Sequence, residues 1–203
     1  MSLKLTKKRC LWLPALLLLA AGSCESSREL LTLSKCEFRL SNVEEVVLAG
    51  VDVGRVQRLD DVSLADLVTL YEAAGSAHLP LELTVVVEVK NPNERTAALN
   101  KAEWTLFIDG YRISSGVYEG RVEVPPRGGI ASFRVPVSAD LKEVLGGESQ
   151  LAMINLGLNL ADIGSQPTRI TLRTKPYIMV GDRLIAYPSH VDVQTTFTSG
   201  GEN

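Results

Sequence analysis

Histidine, cysteine, aromatic residues and basic clusters are all scarce in this 203-residue chain, and each scarcity removes a class of function. Only His78 and His190 offer imidazoles, and neither stands at ligand spacing from the other. A zinc centre draws three or four ligands from short-range pairs, so no metal site is expected. Of the three cysteines, Cys10 lies in the leader, Cys24 at its end, and Cys36 has no partner left for an internal disulfide. Cys36 alternates with charged residues in Cys36-Glu37-Phe38-Arg39-Leu40, which favours a small buried hydrophobe over a reactive thiol. A serine triad needs a histidine and a carboxylate converging on an activated hydroxyl, and His190 with Asp192 comes without a nucleophile elbow. The carboxylate pairs Glu44-Glu45 and Asp60-Asp61 would face opposite sides of a strand, or be solvated in a loop. Gly128-Gly129 sits between strands instead of opening a helix, so it does not read as a phosphate loop. The chain is therefore read as a non-enzyme without cofactor, metal or small-molecule substrate. No run of lysine or arginine supplies the basic face that nucleic-acid binding requires.

Long apolar runs are missing as well. Leu11 to Ala21 falls short of the ~20 residues a spanning helix needs, and Pro14 interrupts it. Preceded by Lys4, Lys7, Lys8 and Arg9, and followed by Gly22-Ser23-Cys24, this run has the layout of a bacterial secretion signal. Ala21-Gly22-Ser23-Cys24 looks like a lipobox, at which the Cys24 thiol receives a palmitate-bearing diacylglycerol and the chain is cut just before it. Ala21 stands where leucine is commonest, and cleavage by the ordinary signal peptidase would leave Cys24 as a bare thiol. Glu25 is not the aspartate of the best-known inner-membrane retention signal, which favours an outer-membrane lipoprotein facing the periplasm or the surface. Loss of the four basic leader residues takes the formal charge from −3 to −7, so lipid and not charge would hold the body at a membrane. The expected organisation is a signal peptide at 1–23, a polar tether at 24–35, one domain at 36–198 and a fraying tail at 199–203. With 45% apolar residues the domain can bury enough surface to fold.

The strongest local pattern lies between Leu79 and Gly116. Leu81, Leu83, Val85, Val87 and Val89 alternate with Glu82, Thr84, Glu88 and Lys90, the period of a half-buried strand, broken outward only by Val86. Asn91, Pro92 and Asn93 then force a corner, since proline removes a ladder donor and the asparagine side chains can bond nearby backbone. Those amides could also present themselves to a sugar or peptide, but the structural role is favoured. A second run buries Ala102, Trp104, Leu106 and Ile108, with Trp104 as core and not a carbohydrate platform. Asp109 and Gly110 supply the positive φ angles of a two-residue hairpin turn.

Elsewhere, Cys36 to Val56 reads as an opening strand or bent pair. Ser63 caps a helix ended by Gly75, whose stripe Leu64, Leu67, Val68 and Tyr71 is expected to pack on the core in preference to a partner. Strands are expected at Arg121–Val124 and Ile130–Val137, with Pro136 marking an edge. Short helices follow at Asp140–Leu145 and at 150–162, where the pattern also fits a strand. Strands return at Arg169–Lys175, Tyr177–Val180, Arg183–Tyr187 and Val191–Phe197. Turn-separated strands without strand-helix alternation indicate a mainly β, antiparallel sandwich of immunoglobulin or fibronectin III kind with one or two short helices.

VEVKNPN, AALNKAEWTLFIDG, Ser114-Ser115-Gly116 and the Val124-Pro125 step together resemble the water-stress and hypersensitive-response domain of the late embryogenesis abundant type 2 family. The likeness is strongest from Leu79 to about Val137. It implies a sandwich scaffold, with Asn91, Pro92, Asn93, Asp109, Gly110 and Gly116 as structural positions, and a stress-protective role through binding or shielding other envelope proteins. The alternative is a surface-assembly or adhesin subunit that pairs a strand with its partner.

Overall fold

A computed structural model describes residues 32–55, 62–160 and 168–197. Cys24, most of the tether, Asp60-Asp61 and the 199–203 tail lie outside the described residues. The strands are β1 (Glu37–Leu48), β2 (Val51–Asp52), β3 (Pro80–Asn91), β4 (Ala97–Ile108), β5 (Tyr111–Val124), β6 (Gly129–Asp140), β7 (Thr168–Val180), β8 (Arg183–Ala186) and β9 (Val191–Phe197). The helices are α1 (Leu64–Gly75), α2 (Leu141–Val144) and α3 (Gln150–Leu160). The chain is thus mainly β, in two antiparallel sheets. One runs β2-β1-β3-β6; in the other, of order β5-β4-β7-β8, β9 also pairs with β7.

β3 is the central strand of its sheet, with β1 on one side and β6 on the other. Its alternation is realised: Leu81, Leu83, Val85, Val87 and Val89 are buried in the core that both sheets share, together with Ala102, Trp104, Leu106 and Ile108 of β4. On the outward face Thr84 and Val86 are buried too, and the Thr84 hydroxyl donates to the Glu45 carboxylate at 2.9 Å. Glu45 reaches that position from a positive φ of 55°, beside an irregularity in the β1–β3 ladder. β6 ends the sheet order and carries Pro136, so the proline does mark an edge strand.

Some bounds differ from the sequence expectations. The strand expected at Arg121–Val124 is the last part of the fourteen-residue β5, which begins at the hairpin. β7 runs unbroken through Pro176, where two strands were expected. The Pro176 carbonyl accepts from the Tyr187 N–H at 2.8 Å, so the missing proline donor faces the same side. That side is the gap where β7 exchanges partners, from β9 paired at Thr174 to β8 paired at Tyr177, and no ladder bond is lost there. The ambiguous stretch from 150 is helix, as expected. Packing also extends into the tether segment: Leu33 is a core residue within a helical turn at 32–34.

The two ends of the body differ in character. At one end lie the start of β1, the Asn91 corner and the β5–β6 crossing; at the other lie all three helices, the Asp109-Gly110 turn and the start of β7. β3 connects them, and twelve strand residues at about 3.4 Å each make the separation about 40 Å.

Candidate functional site

Asn91 is the most completely engaged polar side chain at the corner end. It is fully buried, and its amide donates to the Val124 carbonyl at 3.0 Å and the Arg95 carbonyl at 2.8 Å. Its own oxygen accepts from the Asn93 backbone N–H at 3.0 Å and from the Asn93 side chain at 2.7 Å. The Asn91 carbonyl accepts from Gly128, the Asn93 carbonyl from Arg127, each at 2.7 Å. Two chain crossings between the sheets, β3 to β4 and β5 to β6, are therefore stapled side by side by one carboxamide. Asn93 adds a bond to the Thr32 carbonyl at 2.9 Å, tying in the helical turn that precedes β1. Both ends of the Asn91 amide and the Asn93 side-chain nitrogen are spent on backbone or on the neighbouring amide, which holds the corner together.

The other motif residues sit at tight backbone positions. Asp109 and Gly110 have φ of 48° and 89° and close the β4–β5 hairpin between Ile108 and Tyr111. The Asp109 carboxylate also accepts from the Arg169 N–H at 2.9 Å, locking the turn to β7. Gly116 pairs directly opposite Trp104, and a Cβ there would stand 2.6 Å from the indole ring. The missing side chain is the space in which Trp104 lies, and Trp104 is core as expected.

The groups considered for chemistry are dispersed. His78 bonds Asp140 at 2.7 Å, while the same carboxylate accepts from the N–H groups of Leu79 and Lys142, each at 2.9 Å. The Leu79 bond, with help from His78 and Lys142, holds the Asp140 carboxyl below its ordinary range. Asp192 is clasped by the Nε and Nη2 groups of Arg173, each at 2.8 Å, which holds its carboxyl below the ordinary range. Glu44 pairs with Arg134 at 3.0 Å. Burial pushes the Cys36 thiol up to about 11, which keeps it protonated and unreactive. Among the described residues no three His, Cys, Asp or Glu side chains gather in a metal-holding group. The Thr96–Asn100–Arg121–Glu123–Met179 hollow, of about 330 Å³, is open and contains an internal Arg121–Glu123 ion pair at 2.7 Å.

The helix α1 overturns one expectation. Its start is as read, with Ser63 accepting from the Asp66 N–H at 3.1 Å and donating to the Asp66 carboxylate at 2.7 Å. Its predicted core stripe, however, faces outward: Leu64 is 82% exposed, Leu67 40%, Val68 56% and Tyr71 67%. The buried side is Leu70 and Ala74, with Ala73 partly covered. Two apolar stripes share the helix, and the one with small alanines lets the backbone approach the body closely. α3 packs beside α1 and leaves Leu151 67% exposed. Sequence periodicity found the stripe but assigned it to the wrong side.

A family model described as late embryogenesis abundant protein matches residues 86–193, more than half of the chain. No curated protein matches it. Among solved structures, a protein from Archaeoglobus fulgidus is 17% identical over 61% of this chain and 88% of its own, at a TM-score of 0.35. The solution structure of AT1g01470 from Arabidopsis thaliana is 12% identical over 58% and 70%, at 0.36. A putative late embryogenesis abundant protein, At2g46140.1, is 15% identical over 92% of this chain and 85% of its own, also at 0.36.

Proposed function

Because the chain belongs to the late embryogenesis abundant type 2 family, we propose that it is a non-catalytic, lipid-anchored protein of the bacterial envelope that protects or binds other envelope components by contact. The observation that carries this reading is the order of parts: a basic stretch, a short apolar run, Ala21-Gly22-Ser23-Cys24, and then a folded body whose core, among the described residues, begins at Leu33. Acylated Cys24 would hold that body at the outer membrane, since each buried methylene contributes about 0.8 kcal/mol. The finer architecture we take to be an immunoglobulin or fibronectin III-like sandwich. Supporting it, Tyr118 of one sheet meets Phe133 of the other with ring centroids 4.8 Å apart.

Strand-pairing assembly is the weaker reading. The edge strands β5 and β6 of opposite sheets lean together, with the Ser114 hydroxyl donating to the Ser138 carbonyl at 2.9 Å, and Pro136 blunts β6 further. The test is metabolic palmitate labelling with membrane fractionation. The native chain should carry label and sediment with outer membranes, whereas Cys24→Ala should be unlabelled and soluble; equal sedimentation of the variant removes the anchor.

A further inference from the structure

The helical end of the body exposes Leu64, Leu67, Val68 and Tyr71 of α1 and Leu151 of α3, half of the ten large hydrophobic residues that the described part of the chain leaves open to solvent. Grouped apolar exposure of this kind marks a contact surface. We propose that it docks an amphipathic protein segment that presents aliphatic side chains flanked by lysine or arginine. This deepens the contact reading above by naming the surface and the chemistry of what it holds.

The charge around the patch selects that occupant. α1 contributes Asp66 and Glu72 and no basic residue, and α3 has no charged residue at all. α2 adds Glu143 and Lys142, but the Lys142 ammonium donates to the Ala74 carbonyl at the end of α1 and is not free for a partner. Among the described residues Arg55 is held by Asp52 and the His78 ring bonds Asp140, while the other basic side chains at this end, Arg112 and Arg169, lie at the hairpin turn and the start of β7 and not on the helices that carry the stripe. Glu148 beyond α2 accepts from the Tyr111 hydroxyl at 2.9 Å. An apolar stripe with a rim of acid groups complements a cationic amphipathic segment.

The same rim disfavours the other occupants. A second copy would set Asp66 and Glu72 against themselves, and an anionic bilayer would repel them. β9 ends at this end, and the residues Thr198 to Asn203 carry no aliphatic side chain larger than threonine with which to cover the stripe. The stripe itself suits a helix: Leu64, Leu67, Val68 and Tyr71 follow the i, i+3, i+4, i+7 spacing by which two helices interdigitate.

The test uses the mature chain, residues 24–203, carrying Cys24→Ser in detergent-free buffer. Two labelled fifteen-residue helical peptides are compared by fluorescence anisotropy, one built of leucine and lysine and one with glutamate in place of every lysine. The leucine-lysine peptide should bind and weaken as salt is raised, and the leucine-glutamate peptide should not bind. Leu67→Ser with Tyr71→Ser should weaken binding at least about tenfold, a loss of about 1.4 kcal/mol, with an unchanged melting temperature because both side chains are exposed. Equal binding of the two peptides, or an unaltered affinity in the double variant, overturns the proposal. So does a concentration-dependent dimer, or adsorption to phosphatidylcholine vesicles, that the double variant abolishes, since the occupant is then a second copy or a lipid surface. None of these outcomes depends on acylation, so failure here is separable from failure of the anchor.

Discussion

Asn91 carries more of the fold than its size suggests, because its four bonds are buried and join two crossings that are otherwise linked side chain to side chain by the exposed Arg127–Glu94 ion pair at 2.8 Å. Asn91→Ala strips the Val124 and Arg95 carbonyls and the Asn93 N–H of their partner inside a buried site, and should lower stability by about 3 kcal/mol in denaturant unfolding. Asn91→Asp, which keeps the shape, should be no better, since it turns a lone pair toward both carbonyls. Gly116→Ala tests the other packed motif position. Its methyl would meet the indole of Trp104, itself 8% exposed and unable to step aside, at a cost of about 1 to 3 kcal/mol. Asp140 contributes a pH dependence. Its folded carboxyl lies below the ordinary value, so the stability it adds is complete above about pH 4 and is lost as pH falls from there through the depressed value. Melting of the native chain and of Asp140→Asn should differ near neutrality and converge in acid. The Asn-Pro-Asn corner was legible in sequence because proline and asparagine act on their own neighbours; the bonds to Val124 and Thr32, thirty-three and sixty-one residues away along the chain, were not.

The elements divide by whether their pattern had one solution. β3 and β4 were legible almost residue by residue, because a period of two leaves a single way to bury five aliphatic side chains. α1 was legible in existence, cap and end, but not in orientation: Leu64-Leu67-Val68-Tyr71 and Leu70-Ala73-Ala74 are both apolar stripes, and close approach of the alanine side decided between them. β5 was under-read because Ser114, Ser115, Gly116 and Gly120 break its apolar rhythm; Ser114 bonds Ser138 of β6 and Gly116 makes room for Trp104 of β4, reasons that lie on neighbouring strands. Pro176 was over-read as a break, because proline does end strands except where the ladder changes partner. At the hairpin the expectation is firm. Gly110 has a φ of 89°, so Gly110→Val forces a β-branched residue into the left-handed region. The variant should lose about 1 to 3 kcal/mol by thermal unfolding, while Gly110→Asn should lose much less, since asparagine tolerates that conformation.

For the molecule as a whole, the ordering of its two ends makes the proposed anchor and the proposed docking surface depend on each other geometrically. From Cys24 to Thr32 the chain can extend at most about 27 Å, whereas the helical end stands about 40 Å from the Asn91 corner to which Thr32 is tied. A body hung from Cys24 would keep its corner within about 27 Å of the bilayer and, if it stands upright, would carry α1 well beyond it. This arrangement suits a partner in the same compartment and not the anchoring membrane itself. Single cysteines at Arg127 and Val68, both exposed, can report it, because Cys36 is part-buried with its thiol pushed up to about 11 and so competes poorly for label. In proteoliposomes, a fluorophore at Arg127→Cys should be quenched strongly by a lipid-borne quencher and one at Val68→Cys weakly. Equal quenching would mean that the body lies flat, and stronger quenching at Val68 would place α1 on the bilayer and remove the distal surface.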